Sequence, residues 1–302
     1  MNSPEHEVEE GMRPGAANAA AAAGVDNAAE SASVDPAEVA FYTRLADKWW
    51  DEAGPFWPLH VLNRLRSAWI VRALGRDPDA ATPLDGLRIL DIGCGGGLLA
   101  ESMARLGATV TGIDVTERNV QIARVHAERC GLAVDYRHCS AEALAASVAP
   151  RIGRSGQQPG ERAGRPHEGG QAARYDVVLN MEVVEHVADL PGFMDAAGTL
   201  VADGGHMFVA TLNRTLAGFL IGIVGAEYVT RLLPRGTHRW DRFVKPKELA
   251  EHLGRSGLEV VARSGVRVNP LSRRMALTSW CGVNYMVHAR RSPGIAQPPS
   301  GA

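Results

Sequence analysis

The stretch LDIGCGGGLLAESMARLGATVTGID, Leu90 to Asp114, decides the fold. Residues 87–92 read as a buried strand, 93–97 as a glycine loop, 98–106 as a helix and 108–113 as a second strand, which ends on an acid, Asp114. A glycine-rich loop lets backbone come close to a ligand because no Cβ stands in the way. The helix starting near Gly97 then turns its free N–H groups toward that ligand. A dinucleotide fingerprint, GxGxxG, needs a glycine at 98, where Leu98 stands; the pattern here is GxGxG, on Gly93, Gly95 and Gly97. The carboxylate of Asp114 sits where it can accept from both hydroxyls of a ribose, since two O–H donors suit one two-oxygen acceptor. Read more blandly, the glycines make a tight turn and Asp114 caps the next helix. The order strand, loop, helix, strand, acid favours the ligand site.

Outward from this unit the chain keeps alternating. A helix over 117–129 and a strand over 133–138 follow, then a strand over 175–180, a helix over 190–200 and a strand over 205–211. A helix over 247–254 and strands over 258–268 and 283–289 complete the pattern. This rhythm predicts an α/β fold: a Rossmann-like, doubly wound, mainly parallel seven-stranded sheet. Such sheets bind ligands beyond the carboxyl ends of their strands. Two helices precede the sheet, within 35–75. The first has Asp35 as N-cap, Pro36 at its first position and an apolar stripe of Phe41, Leu45 and Trp49; the second is expected over 61–74. One domain is expected over 35–291. Residues 1–34, rich in alanine and acids, read as a disordered tail, about 150–173 as a flexible insertion, and 292–302 as a loose end.

The formal net charge of the 302-residue chain is −2, which argues against a chain-wide nucleic-acid surface, and no nucleic-acid partner is expected. Four cysteines, Cys94, Cys130, Cys139 and Cys281, show no CxxC pair and fit reduced thiols in a cytoplasmic protein. The N-terminus is acidic where a signal peptide is basic. The longest apolar run, Leu216 to Ala226, is too short to span a bilayer.

After the fourth strand comes Asn180-Met-Glu182-Val-Val-Glu185-His186-Val. If the chain turns into a helix here, Glu182, Glu185 and His186 share a face. Two carboxylates and an imidazole suit a divalent cation, Mg²⁺ or Mn²⁺ by the oxygens and Zn²⁺ by the imidazole. Such an ion lowers the pKa of a bound hydroxyl. Equally, Glu185 or His186 can serve directly as general base, or the acids can simply sit near a positive helix end. Ser140-Ala-Glu142, after the third strand, falls where this fold meets an adenine, or is a helix cap.

The GxGxG form is that of class I methyltransferases, and longer stretches resemble one family more closely. LDIGCGGGLLAESMARLGATVTGID, YDVVLNMEVVEHV (175–187), TLNRTLAGFLIGIVGAEYVTRLLPRGTH (211–238), WWD (49–51), PLHVLNRLR (58–66), FVKPKEL (243–249) and VNYMVH (283–288) are similar to the bacterial ubiquinone-biosynthesis O-methyltransferases and their mitochondrial counterpart. The similarity runs from about Pro36 to Arg290, apart from the insertion. It implies S-adenosylmethionine held by Arg66, the loop with Gly93 and Gly95, Asp114 and Met181. It also implies Mg²⁺ on Glu182, Glu185 and His186. Arg64 stands where the family tends to have proline, which makes it a rival to Arg66. The implied reaction methylates a hydroxyl of polyprenylated catechol or hydroquinone intermediates at two steps of ubiquinone synthesis, and membership of a biosynthetic complex is conceivable on the same ground.

A polyprenyl substrate lives in a membrane. The apolar run from Leu216, in a lid segment of about 214–245, is followed over 231–247 by Arg231, Arg235, Arg239, Arg242, Lys245 and Lys247 against one acid, Asp241. Apolar insertion beside a basic flank is how an interfacial segment holds anionic lipid, so peripheral contact with the inner face of the cell membrane is expected. Two rival readings are a methyltransferase of the same fold acting on a soluble phenol, and a cofactor-binding subunit that mainly scaffolds a complex.

Overall fold

A computed structural model describes residues 32–54, 56–148, 174–218, 240–269 and 272–293. The tail up to 31, the insertion, most of the lid segment and residues 294–302 lie outside them. The chain forms α1 (Pro36–Leu45), α2 (Trp57–Ala73), β1 (Arg88–Ile92), α3 (Leu98–Arg105), β2 (Thr109–Asp114), α4 (Glu117–Arg129), β3 (Val134–His138) and α5 (Ala141–Val148). It continues through β4 (Tyr175–Met181), α6 (Leu190–Thr199), β5 (Val201–Leu212), α7 (Pro246–Arg255), β6 (Leu258–Asn269), β7 (Arg274–Thr278) and β8 (Asn284–Arg291).

The sheet order is β3-β2-β1-β4-β5-β8-β6-β7. The first five strands run parallel; β8 pairs antiparallel with β5 and with β6. The seven strands read from the sequence are all present, and β7 adds an eighth at the edge by a hairpin from β6. Strands β1 and β4 lie mid-sheet, covered on both faces, which is why RILDI and YDVVLNM read as apolar runs rather than alternations. Successive side chains still part company: Ile89, Val177 and Phe208 pack into the core under α2, α3 and α4, while Leu90, Val178 and Met207 pack under α5, α6 and α7.

Local chemistry sets the helix ends. Asp35 accepts from the Ala37 N–H at 2.9 Å, the cap expected ahead of Pro36. Helix α2 starts at Trp57, a turn before the expected Val61, because Pro58 falls in its first turn, where a missing N–H costs nothing. On α7, Glu248 reaches back to the Lys245 N–H at 3.1 Å while Leu249 and Leu253 are fully buried. Burial of each such leucine contributes about 1.5–3 kcal/mol, which docks the helix. Ser33, assigned to the tail by composition, is instead buried; its carbonyl accepts from the Ala188 N–H at 2.8 Å, and its hydroxyl donates to Glu142. The N-terminal segment is thereby pinned across the carboxyl ends of the strands.

Candidate functional site

The carboxyl ends of β1, β2, β3 and β4, roofed by α1 and α2, enclose a cavity of about 460 Å³. Arg66, Gly93, Gly95, Asp114, Met181, Glu182 and His186 all line it, so the structure gathers residues spread over more than a hundred positions. Arg64, the rival to Arg66, is exposed and outside the lining.

The glycine loop leaves β1 with Gly93 at φ 67° and Gly95 at φ 55°, backbone that L side chains rarely adopt. Large side chains approach it closely. A Cβ on Gly95 would stand 2.5 Å from the Trp49 ring, and one on Gly93 2.6 Å from Val183. Trp49 is buried, stacks on Phe56 with ring centroids 4.0 Å apart, and donates from Nε1 to Asn119 Oδ1 at 2.8 Å. Trp50 donates to the Gly96 carbonyl at 2.9 Å. Asp114 ends β2 as a buried carboxylate: Oδ2 accepts from the Gly95 N–H at 2.9 Å, and Oδ1 from the Thr116 N–H at 2.8 Å and Asn119 Nδ2 at 3.3 Å. Burial pushes its pKa up; the Thr116 and Gly95 N–H groups pull against that. Thus Asp114 does brace the start of α4, as the blander reading had it, while also facing the cavity.

Arg66 is buried, its Nε bonded to Asn63 Oδ1 at 3.0 Å. Burial lowers its pKa, while the charges of Asp91 and Glu182 favour the guanidinium form. Asp91 was not legible as a site residue. It is a carboxylate inside an apolar strand, 3% exposed, with Oδ2 lacking any partner among the described residues. Burial pushes it up to about 7, with Arg66 opposing. The signal was present in the sequence: an acid between Leu90 and Ile92 has no reason to be buried unless something meets it.

The segment after β4 departs from the reading above. Residues 182–187 form a turn closed by His186 N–H to the Val183 carbonyl at 2.8 Å, not a helix, so Glu182, Glu185 and His186 do not share a face. Glu182 sits at φ 64°, left-handed for a residue with a Cβ, held by its N–H bond to the Ala210 carbonyl at 2.9 Å. Glu185 points away from the cavity and accepts from Thr211 Oγ1 at 2.8 Å. His186 turns to α1: Nδ1 lies 3.2 Å from Glu38 Oε2, and Nε2 3.2 Å from Tyr42 Oη. Glu38 and Tyr42 lie one turn apart on α1. Arg242 pairs with Asp35 at 2.6 Å and reaches Glu38 at 3.9 Å, fastening that helix to the far end of the lid segment. The ligand atoms of Glu182, Glu185 and His186 do not all come within 4.8 Å of one another. Ser140 caps α5, its Oγ accepting from the Ala143 N–H at 3.2 Å, and together with Glu142 it lines the cavity.

A parallel sheet with a cofactor cleft built from the loops after β1 and β2 defines a class I S-adenosylmethionine-dependent methyltransferase. Residues 59–263 match the family model described as "Methyltransferase domain". Among solved structures, a possible histamine N-methyltransferase of Thermotoga maritima aligns with a TM-score of 0.51 at 16% identity, covering 84% of this chain and 99% of the other. Magnesium protoporphyrin IX methyltransferase from Synechocystis, with S-adenosylhomocysteine bound, aligns with a TM-score of 0.50 at 17% identity, covering 83% and 99%. These two bear on the fold alone. Relatives in sequence are far nearer. The ubiquinone biosynthesis O-methyltransferase of Brucella anthropi is 46% identical over 263 residues, 86% of this chain and 96% of the relative. That of Sinorhizobium medicae is 47% identical over the same shares. The chain belongs to the ubiquinone biosynthesis O-methyltransferase family, and with it to the S-adenosylmethionine-dependent O-methyltransferases.

Gly95→Ala is expected to cost about 1–2 kcal/mol from the left-handed backbone alone, and more from displacing Trp49. Thermal unfolding should show a lower Tm than wild type. An unchanged Tm would mean that the loop does not hold this conformation.

Proposed function

We propose that this chain transfers the methyl group of S-adenosylmethionine to a phenolic hydroxyl of polyprenylated catechol and hydroquinone intermediates, at both O-methylation steps of ubiquinone biosynthesis. The observation that carries the reading is a single cavity with two chemistries. A buried charged cradle of Arg66, Asp91 and Asp114 shares it with an oriented imidazole, His186, and its walls include Phe41, Leu59, Leu62, Val266 and Met275.

The residues fit the cofactor. The unpartnered Oδ2 of Asp91 suits an ammonium and the buried Arg66 a carboxylate, the two ends of an amino acid. Asp114 suits the ribose hydroxyls, Ser140 and Glu142 the adenine edge, and Gly93, Gly95 and Met181 the floor beneath. Bound S-adenosylmethionine supplies an electrophilic methyl group on a sulfonium that is already a good leaving group. The chain's own part is to place the acceptor oxygen and remove its proton. With Glu38 accepting from Nδ1–H, the Nε2 lone pair of His186 accepts from the Tyr42 hydroxyl, and the acceptor's hydroxyl takes that place when it delivers its proton to Nε2. Glu182, charged and close to Arg66, helps to hold the cradle's geometry. Burial behind the N-terminal aromatics excludes water, and positioning supplies much of the remaining acceleration.

As placed, Glu182, Glu185 and His186 do not fit a shared cation: their ligand atoms do not converge, one oxygen of Glu185 is held by Thr211, and His186 is turned to α1. No step is therefore routed through Mg²⁺. His186→Asn is expected to lower turnover about 10²–10⁴-fold while leaving S-adenosylhomocysteine affinity near wild type. EDTA should leave wild-type turnover unchanged. Loss of product with EDTA that Mg²⁺ restores would return the ion to the site.

Asp91 must be ionised to hold an ammonium, and burial pushes its pKa up to about 7, so acid competes with the cofactor. Calorimetric titration with S-adenosylhomocysteine should show affinity falling as pH drops below 7. Asp91→Asn should bind weakly and without that slope; a slope that survives the substitution would assign it to another group.

For the membrane, two described residues flank the rest of the lid: Leu216 is 72% exposed and Trp240 43% exposed. Among the described residues no helix is long and apolar enough to cross a bilayer. Peripheral contact through the apolar run and its basic flank predicts flotation with anionic liposomes and little with neutral ones. Equal recovery in the soluble fraction with both would remove the membrane from the reading.

A further inference from the structure

On the outer face of α3 and α4, away from the cavity lining, three side chains of different chemistry converge. The ligand atoms of Glu101, His126 and Cys130 all lie within 4.8 Å of one another. His126 and Cys130 are one turn apart along α4 and its C-cap, so they share a face. His126 Nδ1 stands 2.8 Å from Glu101 Oε1 and 3.6 Å from Cys130 Sγ. A tetrahedral ion with bonds of about 2.0–2.3 Å to N, O and S sets its ligands about 3.3–3.6 Å apart. The two separations from His126 Nδ1 lie on either side of that range, and the Glu101 to Cys130 separation is within 4.8 Å.

The surroundings prepare these groups. Glu101 is fully buried, and Arg105 holds its other oxygen, Oε2, at 2.7 Å, so the carboxylate keeps one oxygen toward His126. The His126 ring is fixed by Trp50, which stacks on it at 3.4 Å and 5°. Cys130 is exposed, which gives an ion a way in and leaves room for a water as fourth ligand. A thiolate, an imidazole and one carboxylate oxygen form a borderline-soft set, matched to Zn²⁺ rather than Mg²⁺.

We propose that Glu101, His126 and Cys130 form a binding site for a zinc-class divalent cation, separate from the methyl-transfer cavity. Binding draws the proton from the Cys130 thiol and releases it to solvent; the proton that His126 Nδ1 holds toward Glu101 moves to Nε2 by exchange with solvent, and sulfur and Nδ1 then bond to the ion as thiolate and neutral imidazole. Metal-free, phosphine-reduced protein titrated with Co²⁺, a spectroscopic stand-in for Zn²⁺, tests this. The expected result is a thiolate-to-cobalt charge-transfer band that saturates at one ion per chain and is displaced by Zn²⁺. The band should be lost in Cys130→Ser, a variant that keeps wild-type Tm and cofactor affinity because the thiol lies on the surface. No charge-transfer band in the wild type, or an undiminished band in Cys130→Ser, would overturn the proposal.

Discussion

A buried carboxylate bridging two crossover loops is the constraint on which the site depends. Asp114 accepts from the Gly95 N–H of the loop after β1 and the Thr116 N–H after β2, so one side chain sets the spacing between neighbouring loops. Taking that charge out of water is costly, and three donors offset the cost. Through Asn119 the same carboxylate is linked to Trp49, and through Trp49 to the aromatic group that closes the cavity. Sheet, loop and N-terminal cover are thus parts of one hydrogen-bonded unit.

Much of this was legible in sequence, for identifiable reasons. Parallel central strands must be apolar on both faces, so β1 and β4 announce themselves, and the glycine loop with its trailing acid follows from backbone sterics alone. The eighth strand was missed because Arg274–Thr278 is short and partly exposed, and owes its pairing to β6 rather than to its own pattern. The shared face after β4 was conditional on a helix, and the sequence could not decide that condition because a spacing of three and four residues is common to helix faces and to turns. Glu182 has a positive φ where the chain turns, and beyond it Glu185 bonds to Thr211 while His186 faces the cavity and α1.

Glu38 and Tyr42 could not have been found from local pattern. They meet His186 across separations of 148 and 144 residues, and only the return of α1 over the strand ends brings them there. Asp91 is the opposite case. Its oddity was visible in the primary structure, but its meaning depended on Arg66 arriving from α2.

The residues that close the cavity from above, Glu38, Tyr42 and Trp49, all precede residue 59, where the match to the general methyltransferase domain begins. The cover thus comes from chain outside that match, yet Trp49 packs against Gly95 and Trp50 bonds to the Gly96 carbonyl, so the leading stretch shapes the glycine loop as well as the mouth of the cavity. Exchanging that leading stretch would therefore disturb the loop that holds the methyl donor together with access for the acceptor.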